Sequence, residues 1–397
     1  MTGFSTNAIE LFDITDPAMP VRIVNHTVEP DGGGYRLRFS DDATADQKYL
    51  AQRTDQLPTP SIQLDEPSAW KSPDNGATYV IVTHPSFYDA VQPLAAYRGS
   101  QGETVVTVKT EDTYDEFYYG IYDPQAIRLF LEYAYENWSP QPVYILVVGD
   151  ASLDPKKNLG WSLPDLLPAY YVDTPLFGQT PNDSWYAKVH GDDDYPDVIV
   201  GRIPARSTGD VTTVVDKVQT YEGSPPPGHW VQRAVLVADD GDPTFAQDMD
   251  TIAAMLPESM IPIQMYNYDP STSVQNEVSA GALLFAYSGH GNLSGTSWGS
   301  WSEGHRIFNQ SQMQDLWNGN KLPFMTIANC LSGLFDQYDR SRAMAEAFLL
   351  LNNKGGIASW APAGYGFPTT NSLVLEELYQ ALLVDNDPRL GGDNRQN

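Results

Sequence analysis

From residue 77 onward the chain alternates short β-branched runs with stretches of helical periodicity, stops, and then does so again. The first series of runs lies at 79–83, 104–108, 143–148 and 198–200. A helix before the third run is signalled by Asp123 as N-cap and Pro124 at the first turn, with Ile127, Phe130, Leu131 and Ala134 on one face. Another follows Ser207, carrying Val211, Val214, Val215 and Val218. Strands that alternate with helices in this way can bury their apolar residues only in a parallel sheet covered on both faces. A Gly-Ser-Pro-Pro-Pro-Gly stretch at 223–228 interrupts the series. Beyond it the pattern resumes, with strands at 234–237, 261–266, 282–287, 324–330 and 357–360 and helices at 245–256, 342–352 and 373–384. The expectation is an α/β fold of two parallel-sheet subdomains, 77–222 and 229–397, with helices on both faces.

Residues 1–66 differ in texture. Residues 12–17 read as a turn, and short runs at 20–24 and 35–39 flank the hairpin-like Asp31-Gly-Gly-Gly34. This is expected to be a partial β-rich region, the tail of a sandwich whose earlier strands precede the sequence. Leu57-Pro-Thr-Pro60 and Glu66-Pro67 have linker composition. The polar C-terminus after the last helix, with no closing strand, is expected to be a truncation as well.

The charge balance narrows the partners. With 51 acidic against 23 basic residues the formal net charge is −28, which repels phosphate backbones and anionic lipid. Neither nucleic acid nor membrane insertion is expected, since no apolar run approaches the ~20 residues a bilayer span requires. No signal peptide is visible, yet the composition suits a secreted or cell-surface protein. One cysteine in 397 residues excludes an internal disulfide and a thiolate-rich metal site.

That cysteine, Cys330, falls at the C-terminal end of the apolar run Phe324-Met-Thr-Ile-Ala-Asn-Cys330. The run at 282–287 leads into Ser288-Gly-His290-Gly. In open α/β sheets ligands bind at the carboxyl ends of the strands. Thiol attack on an acyl carbon needs a sulfur nucleophile, a proton carrier and donors for the oxyanion. Cys330 and His290 supply the first two. Gly291 lets a carbonyl oxygen approach its N–H, and with the Cys330 amide forms an oxyanion hole. The alternative for a lone cysteine is a small buried hydrophobe.

Histidine-glycine on one strand and cysteine on the next resembles the caspase arrangement. Tyr287-Ser-Gly-His-Gly-Asn-Leu-Ser-Gly-Thr-Ser-Trp-Gly299 with Leu322-Pro-Phe-Met-Thr-Ile-Ala-Asn-Cys330 resembles, more closely, the gingipain family of cysteine peptidases. Asn182-Asp-Ser-Trp-Tyr186, Gly191-Asp-Asp-Asp-Tyr195 and Gly201-Arg202 support it. The resemblance implies a caspase-like fold and a cysteine endopeptidase acting on protein or peptide substrates, with no cofactor required for the chemistry. It implies an acid that orients the histidine, drawn from Ala238-Asp-Asp-Gly241 and assigned to Asp240. It also implies structural calcium, for which Asp192, Asp194 and Asp197 are the candidate ligands, a solvated acidic loop being the alternative. Phe245 is expected at the base of the primary substrate pocket and Tyr365 on its wall, favouring an apolar side chain. Asp248, one helical turn on from Phe245, would restore a basic preference if it pointed inward. Trp298 and Trp301 are candidates for the cleft or for packing under a long loop. Some relatives are transpeptidases in protein export that use the same thioester, and a non-catalytic scaffold is the rival from another class. Glu303 and His305 lack the spacing of a zinc protease, and no Gly-x-Ser-x-Gly marks a serine hydrolase.

Overall fold

The computed structural model describes residues 1–17, 19–42, 46–57, 59, 65–159, 163–266, 273–299, 306–337 and 341–385. Trp301, Glu303 and His305, the linker prolines Pro58 and Pro60, and the polar C-terminus lie outside the described residues. The chain divides into two compact units, Met1–Pro67 and Ser68–Asn397.

The first unit holds β1 (Thr2–Phe4), β2 (Ile9–Asp13), β3 (Val21–Arg22), β4 (His26–Asp31), β5 (Gly34–Phe39) and β6 (Tyr49–Arg53). They form two three-stranded antiparallel sheets, β1-β5-β4 and β3-β2-β6. A small core of Ile9, Leu11 and Leu37 is packed by Val28, Phe39 and Tyr49. The turn expected at residues 12–17 begins later than the sequence suggested, because burial of Leu11 draws Phe12 and Asp13 into β2.

In the second unit a four-stranded sheet is ordered β12-β9-β7-β8, all parallel. Its strands are β7 (Tyr79–Thr83), β8 (Val105–Lys109), β9 (Tyr144–Val148) and β12 (Ile199–Ile203), with a hairpin of β10 (Tyr171–Thr174) and β11 (Gly178–Pro181) before the last. Its helices are α1 (Tyr88–Ser100), α2 (Thr110–Phe117), α3 (Pro124–Asn137) and α4 (Thr208–Gly223). Successive residues of β7 serve opposite cores, as the two-residue period of a strand demands. Val80 and Val82 pack with Ile127, Phe130 and Leu131 of α3, while Ile81 packs with Val91 of α1 and Val211 and Val214 of α4.

A second parallel sheet runs β14-β13-β15-β18-β19. It comprises β13 (Arg233–Ala238), β14 (Ile261–Met265), β15 (Leu284–Ser288), β18 (Phe324–Ala328) and β19 (Ala358–Trp360), beside a two-residue pair, β16 (Ser297–Trp298) and β17 (Phe308–Asn309). Its helices are α5 (Pro243–Met255), α6 (Val274–Ser279), α7 (Gln310–Gln314), α8 (Met344–Leu350) and α9 (Pro368–Tyr379). Val235, Phe285 and Met325 face α6, α7 and α8, whereas Leu236, Ala286 and Ala328 face α5 and α9. No described helix is long and apolar enough to cross a membrane.

The two sheets are joined by polar contacts as well as by packing. Lys217 on α4 is buried, and its Nζ donates to the carbonyls of Leu349 at 2.6 Å and Gly356 at 3.1 Å. Burial pulls its pKa down to about 7. Arg206 pairs with Asp150 and donates to Ser341 O at 3.0 Å, while Arg342 returns bonds to Pro204 O and Asp210 Oδ2, each at 2.9 Å. A cavity of about 700 Å³ lies where β12 and β19 face each other, lined by Arg202, Asp183 and Trp360 among others.

Candidate active site

Three neighbouring strands end together. Their register is Ala238 to Ser288 and Ser288 to Ala328. The ladder continues one residue further, through Asp239 N–H to Ser288 O at 3.0 Å and Gly289 N–H to Ala328 O at 3.1 Å. His290 and Cys330 therefore each lie two residues past a registered pair, on strands spaced about 4.8 Å apart. The sheet brings His290 and Cys330 to its carboxyl end, with Asp239 and Asp240 following the neighbouring strand.

Gly291 permits this approach. A Cβ there would collide with the carbonyl oxygen of Cys330 and come within 2.7 Å of Asn329 Nδ2. Gly291 faces Trp298 as an antiparallel bridge whose bonds are made by the flanking residues, Gly299 N–H to His290 O at 3.0 Å and Asn292 N–H to Ser297 O at 3.1 Å. In such a non-hydrogen-bonded pair the residue's own amide points away from its partner strand. The Gly291 N–H is thereby directed away from β16.

Asp239 meets the backbone amide of His290. Asp239 is buried, and its Oδ2 accepts the His290 N–H at 3.0 Å and the Tyr287 hydroxyl at 3.4 Å. A Cβ on Gly241 would sit 3.2 Å from His290 Nε2 and 3.9 Å from Asp239 Oδ1, so ring and carboxylate converge on that glycine. Asp240 is exposed. The two neighbours differ because successive strand residues point to opposite faces. Asp242, the N-cap of α5, is held below the usual carboxylate range by the Thr244 amide and hydroxyl, with His290 adding a smaller effect. Asp239→Ala should cost about 1–3 kcal/mol of stability, since it strands the His290 N–H, while the Tyr287 hydroxyl keeps its bond to His290 O at 2.7 Å. Asp240→Ala should cost less, and urea unfolding of the two variants checks the order.

Phe245 does not floor an open pocket. It is buried among Leu236, Met249 and Ile252, with its ring edge-on to His290 at 5.3 Å. The first turn of α5 faces the sheet, so this ring is core that also braces the imidazole. Asp248 is buried too, accepting the Ser288 hydroxyl at 2.6 Å. Burial pushes its carboxyl up, and the hydroxyls of Ser288 and Ser372 pull it partly back.

The thiol is half-buried, and its hydrogen-bond acceptor is Gly366 O at 3.6 Å. Leu331 next to it adopts φ 63° and donates to Gly364 O at 3.0 Å. The loop carrying these carbonyls also carries Tyr365, 39% exposed, whose ring meets Phe177 at the tip of the β10–β11 hairpin, 5.2 Å away and edge-on. That hairpin was not read from the sequence.

Trp298 is no cleft residue. Only 1% exposed, it stacks on Tyr287 at 4.3 Å, and its Nε1 donates to Ser332 Oγ at 3.1 Å. Asn329 Nδ2 donates to the same hydroxyl at 2.9 Å, so this tryptophan holds the turn after Cys330 from beneath.

Asp336 anchors the far end of that turn. It accepts the Tyr171 hydroxyl at 2.9 Å, and burial pushes its pKa up to about 6. The folded carboxyl keeps its proton to about pH 6, whereas an unfolded one loses it near 3.9. The folded state thus binds the extra proton, and the stability this contributes is lost as pH rises through 6. Asp336→Asn should therefore stabilise the protein near pH 8 by up to about 3 kcal/mol and change little near pH 4, as urea midpoints at the two values would show.

The calcium ligands do not assemble. Asp194 pairs with Lys188 at 2.7 Å, and Asp197 Oδ2 accepts the N–H groups of Val189 and His190, each at 2.8 Å. Asp192 is exposed. Among the described residues no three His, Cys, Asp or Glu side chains converge as a metal site would require. A lysine engages Asp194 and turn amides engage Asp197.

Several known proteins resemble this chain. Gingipain R2 from Porphyromonas gingivalis strain W83 is 27% identical over 273 residues, 66% of this chain and 33% of that protein. Gingipain R1 from Porphyromonas gingivalis is 27% identical over 221 residues, 53% of this chain and 20% of that protein. The chain thus spans a third or less of the length of these relatives. Among solved structures, the Arg-specific cysteine proteinase gingipain R superposes with a TM-score of 0.63 at 23% identity, covering 79% of this chain and 69% of that one. A complex of Porphyromonas gingivalis RgpB pro- and mature domains gives 0.62 at 21% identity, covering 77% and 68%. These likenesses establish the caspase-like fold. The model of Peptidase family C25 matches residues 72–396, and the chain belongs to that family.

Proposed function

We propose that this chain is a cysteine endopeptidase in which Cys330 is the nucleophile and His290 the proton carrier. The observation that carries the reading is the matched position of the two residues past registered strand ends. His290 takes the thiol proton, and the sulfur attacks the peptide carbonyl to form a C–S bond. The oxyanion rests on the N–H groups of Gly291 and Cys330. The C–N bond then breaks, the amine leaves with the proton from His290, and water hydrolyses the thioester by the same path. Asp239 is the positioning residue: it fixes the backbone of His290 from below, while Phe245 limits the ring from the side. Transfer of the acyl group to another amine would use the same thioester.

For the residue before the scissile bond, the reading moves from apolar to basic. Phe245 is committed to the core, whereas Asp248 is a buried carboxylate hydrogen-bonded by Ser288, two residues before His290. A cationic side chain is its natural counterion, since a buried charge without one is costly. One solved relative is titled Arg-specific, so arginine is the first substrate to try. A library of fluorogenic peptides varied at this residue tests the reading. A dominant arginine signal, lost in Asp248→Asn, supports it. A dominant apolar signal would show that Asp248 is closed to substrate, and no hydrolysis at all would overturn the peptidase reading.

A further inference from the structure

We propose that Leu293 forms the wall of a subsite for the residue after the scissile bond, and that this subsite takes an apolar side chain. The inference rests on the peptidase reading of Cys330 and His290. Leu293 lies three residues beyond His290 and is 73% exposed. Single exposed leucines are common on protein surfaces. This one differs because its loop is braced on both sides of it. Asn292 Oδ1 accepts the N–H groups of Thr296 at 2.7 Å and Ser297 at 3.1 Å. Its Nδ2 donates to the hydroxyls of Ser294 at 2.9 Å and Thr296 at 3.0 Å. Buried Gln337 donates to Ser294 O at 2.9 Å, and Met344 N–H donates to Gly295 O at 2.8 Å. Gly295, at φ 62°, lies so close to the carbonyl of Leu331 that no side chain would fit. The leucine is held out in water, three residues past His290, by a turn with little freedom to withdraw it.

The chemistry says which part of a substrate would pass there. After attack the acyl half stays on sulfur, and the amine half departs with the proton of His290. The departing half must therefore lie on the histidine side. The 291–296 loop continues directly from His290. The loop of Tyr365 instead borders the thiol from the β19 side, through Gly366 O, while its Gly364 O takes the N–H of Leu331. Leu331 is held between the two, its N–H by Gly364 and its carbonyl against Gly295. An apolar side chain laid on Leu293 removes both surfaces from water, whereas a charged one loses hydration without a partner.

Internally quenched peptides, fixed before the scissile bond and varied to Leu, Ser, Asp or Lys after it, test this. The wild type should favour Leu over Ser by roughly ten-fold in kcat/KM, the scale of one apolar contact. In Leu293→Ser that ratio should fall to within about two-fold, and Leu293→Met should restore it. A preference that survives in Leu293→Ser, or a wild type indifferent to this residue, overturns the subsite. A peptidyl coumarin amide, which has no amino acid on the leaving side, separates the two levels of failure. If the wild type cleaves it but shows no leaving-side preference, only the subsite falls. If the wild type cleaves neither kind of substrate, the peptidase reading falls and the subsite with it.

Discussion

Cys330→Ala abolishes peptide turnover and leaves the fold in place: that is the expected result with the largest effect. Removing the nucleophile of a thioester route costs on the order of five to six powers of ten in rate, as single knockouts of acyl-enzyme nucleophiles do. The structural cost is small. The side chain is half-buried, its hydrogen bond to Gly366 O comes from a weak thiol donor, and alanine follows the same backbone. Thermal midpoints of the two proteins should agree to about a degree, since the lost contact is worth a fraction of a kcal/mol. Iodoacetamide should modify the native protein at this residue, because exposure and thiolate character set thiol reactivity. Alkylation seen only after denaturation would restore Cys330 to the role of a small buried hydrophobe.

The second large effect belongs to His290. His290→Ala should lower kcat by about 10²–10⁴, the range for removing a positioned proton carrier. It should also slow alkylation of Cys330, which loses its proton acceptor. The ring is exposed and touches Phe245 edge-on, so stability should change by less than about 1 kcal/mol. That combination distinguishes a chemical role from a packing role. Turnover within about three-fold of wild type would remove His290 from the mechanism.

Much of the fold was legible because parallel strands buried on both faces read as unbroken apolar runs. The segments ending near Val148, Val237, Tyr287 and Ala328 are of this kind. Position at the strand ends then singled out His290 and Cys330. The β10–β11 hairpin was missed because Tyr171-Val-Asp-Thr174 and Gly178-Gln-Thr-Pro181 mix polar and apolar residues without a clear period. That Asp239 is buried and Asp240 exposed could not be read from identity, since both are aspartate. It depends on pleat parity at the end of β13, which places Asp239 beside Tyr287. The burial of Phe245, and the choice of packing over cleft for Trp298, were equally hidden from the sequence. Large rings near a site look like cleft walls, but a stack on Tyr287 and a seat on the core face of α5 bury them. For the acidic loop at 192–197, spacing does not reveal that a neighbouring lysine takes Asp194 and turn amides take Asp197.

The crossing bonds of Lys217, Arg206 and Arg342 have a mechanical consequence. Each half donates to backbone carbonyls of the other, and Leu349 and Leu350 pack into the core beneath α1 and α4. The segment between α4 and β13, with Pro225 and Pro227 exposed, therefore tethers two bodies that hold each other without the tether. A peptide bond severed among residues 224–228 would leave two fragments that migrate as one particle and separate only in denaturant, with the thiol edge of the second sheet intact.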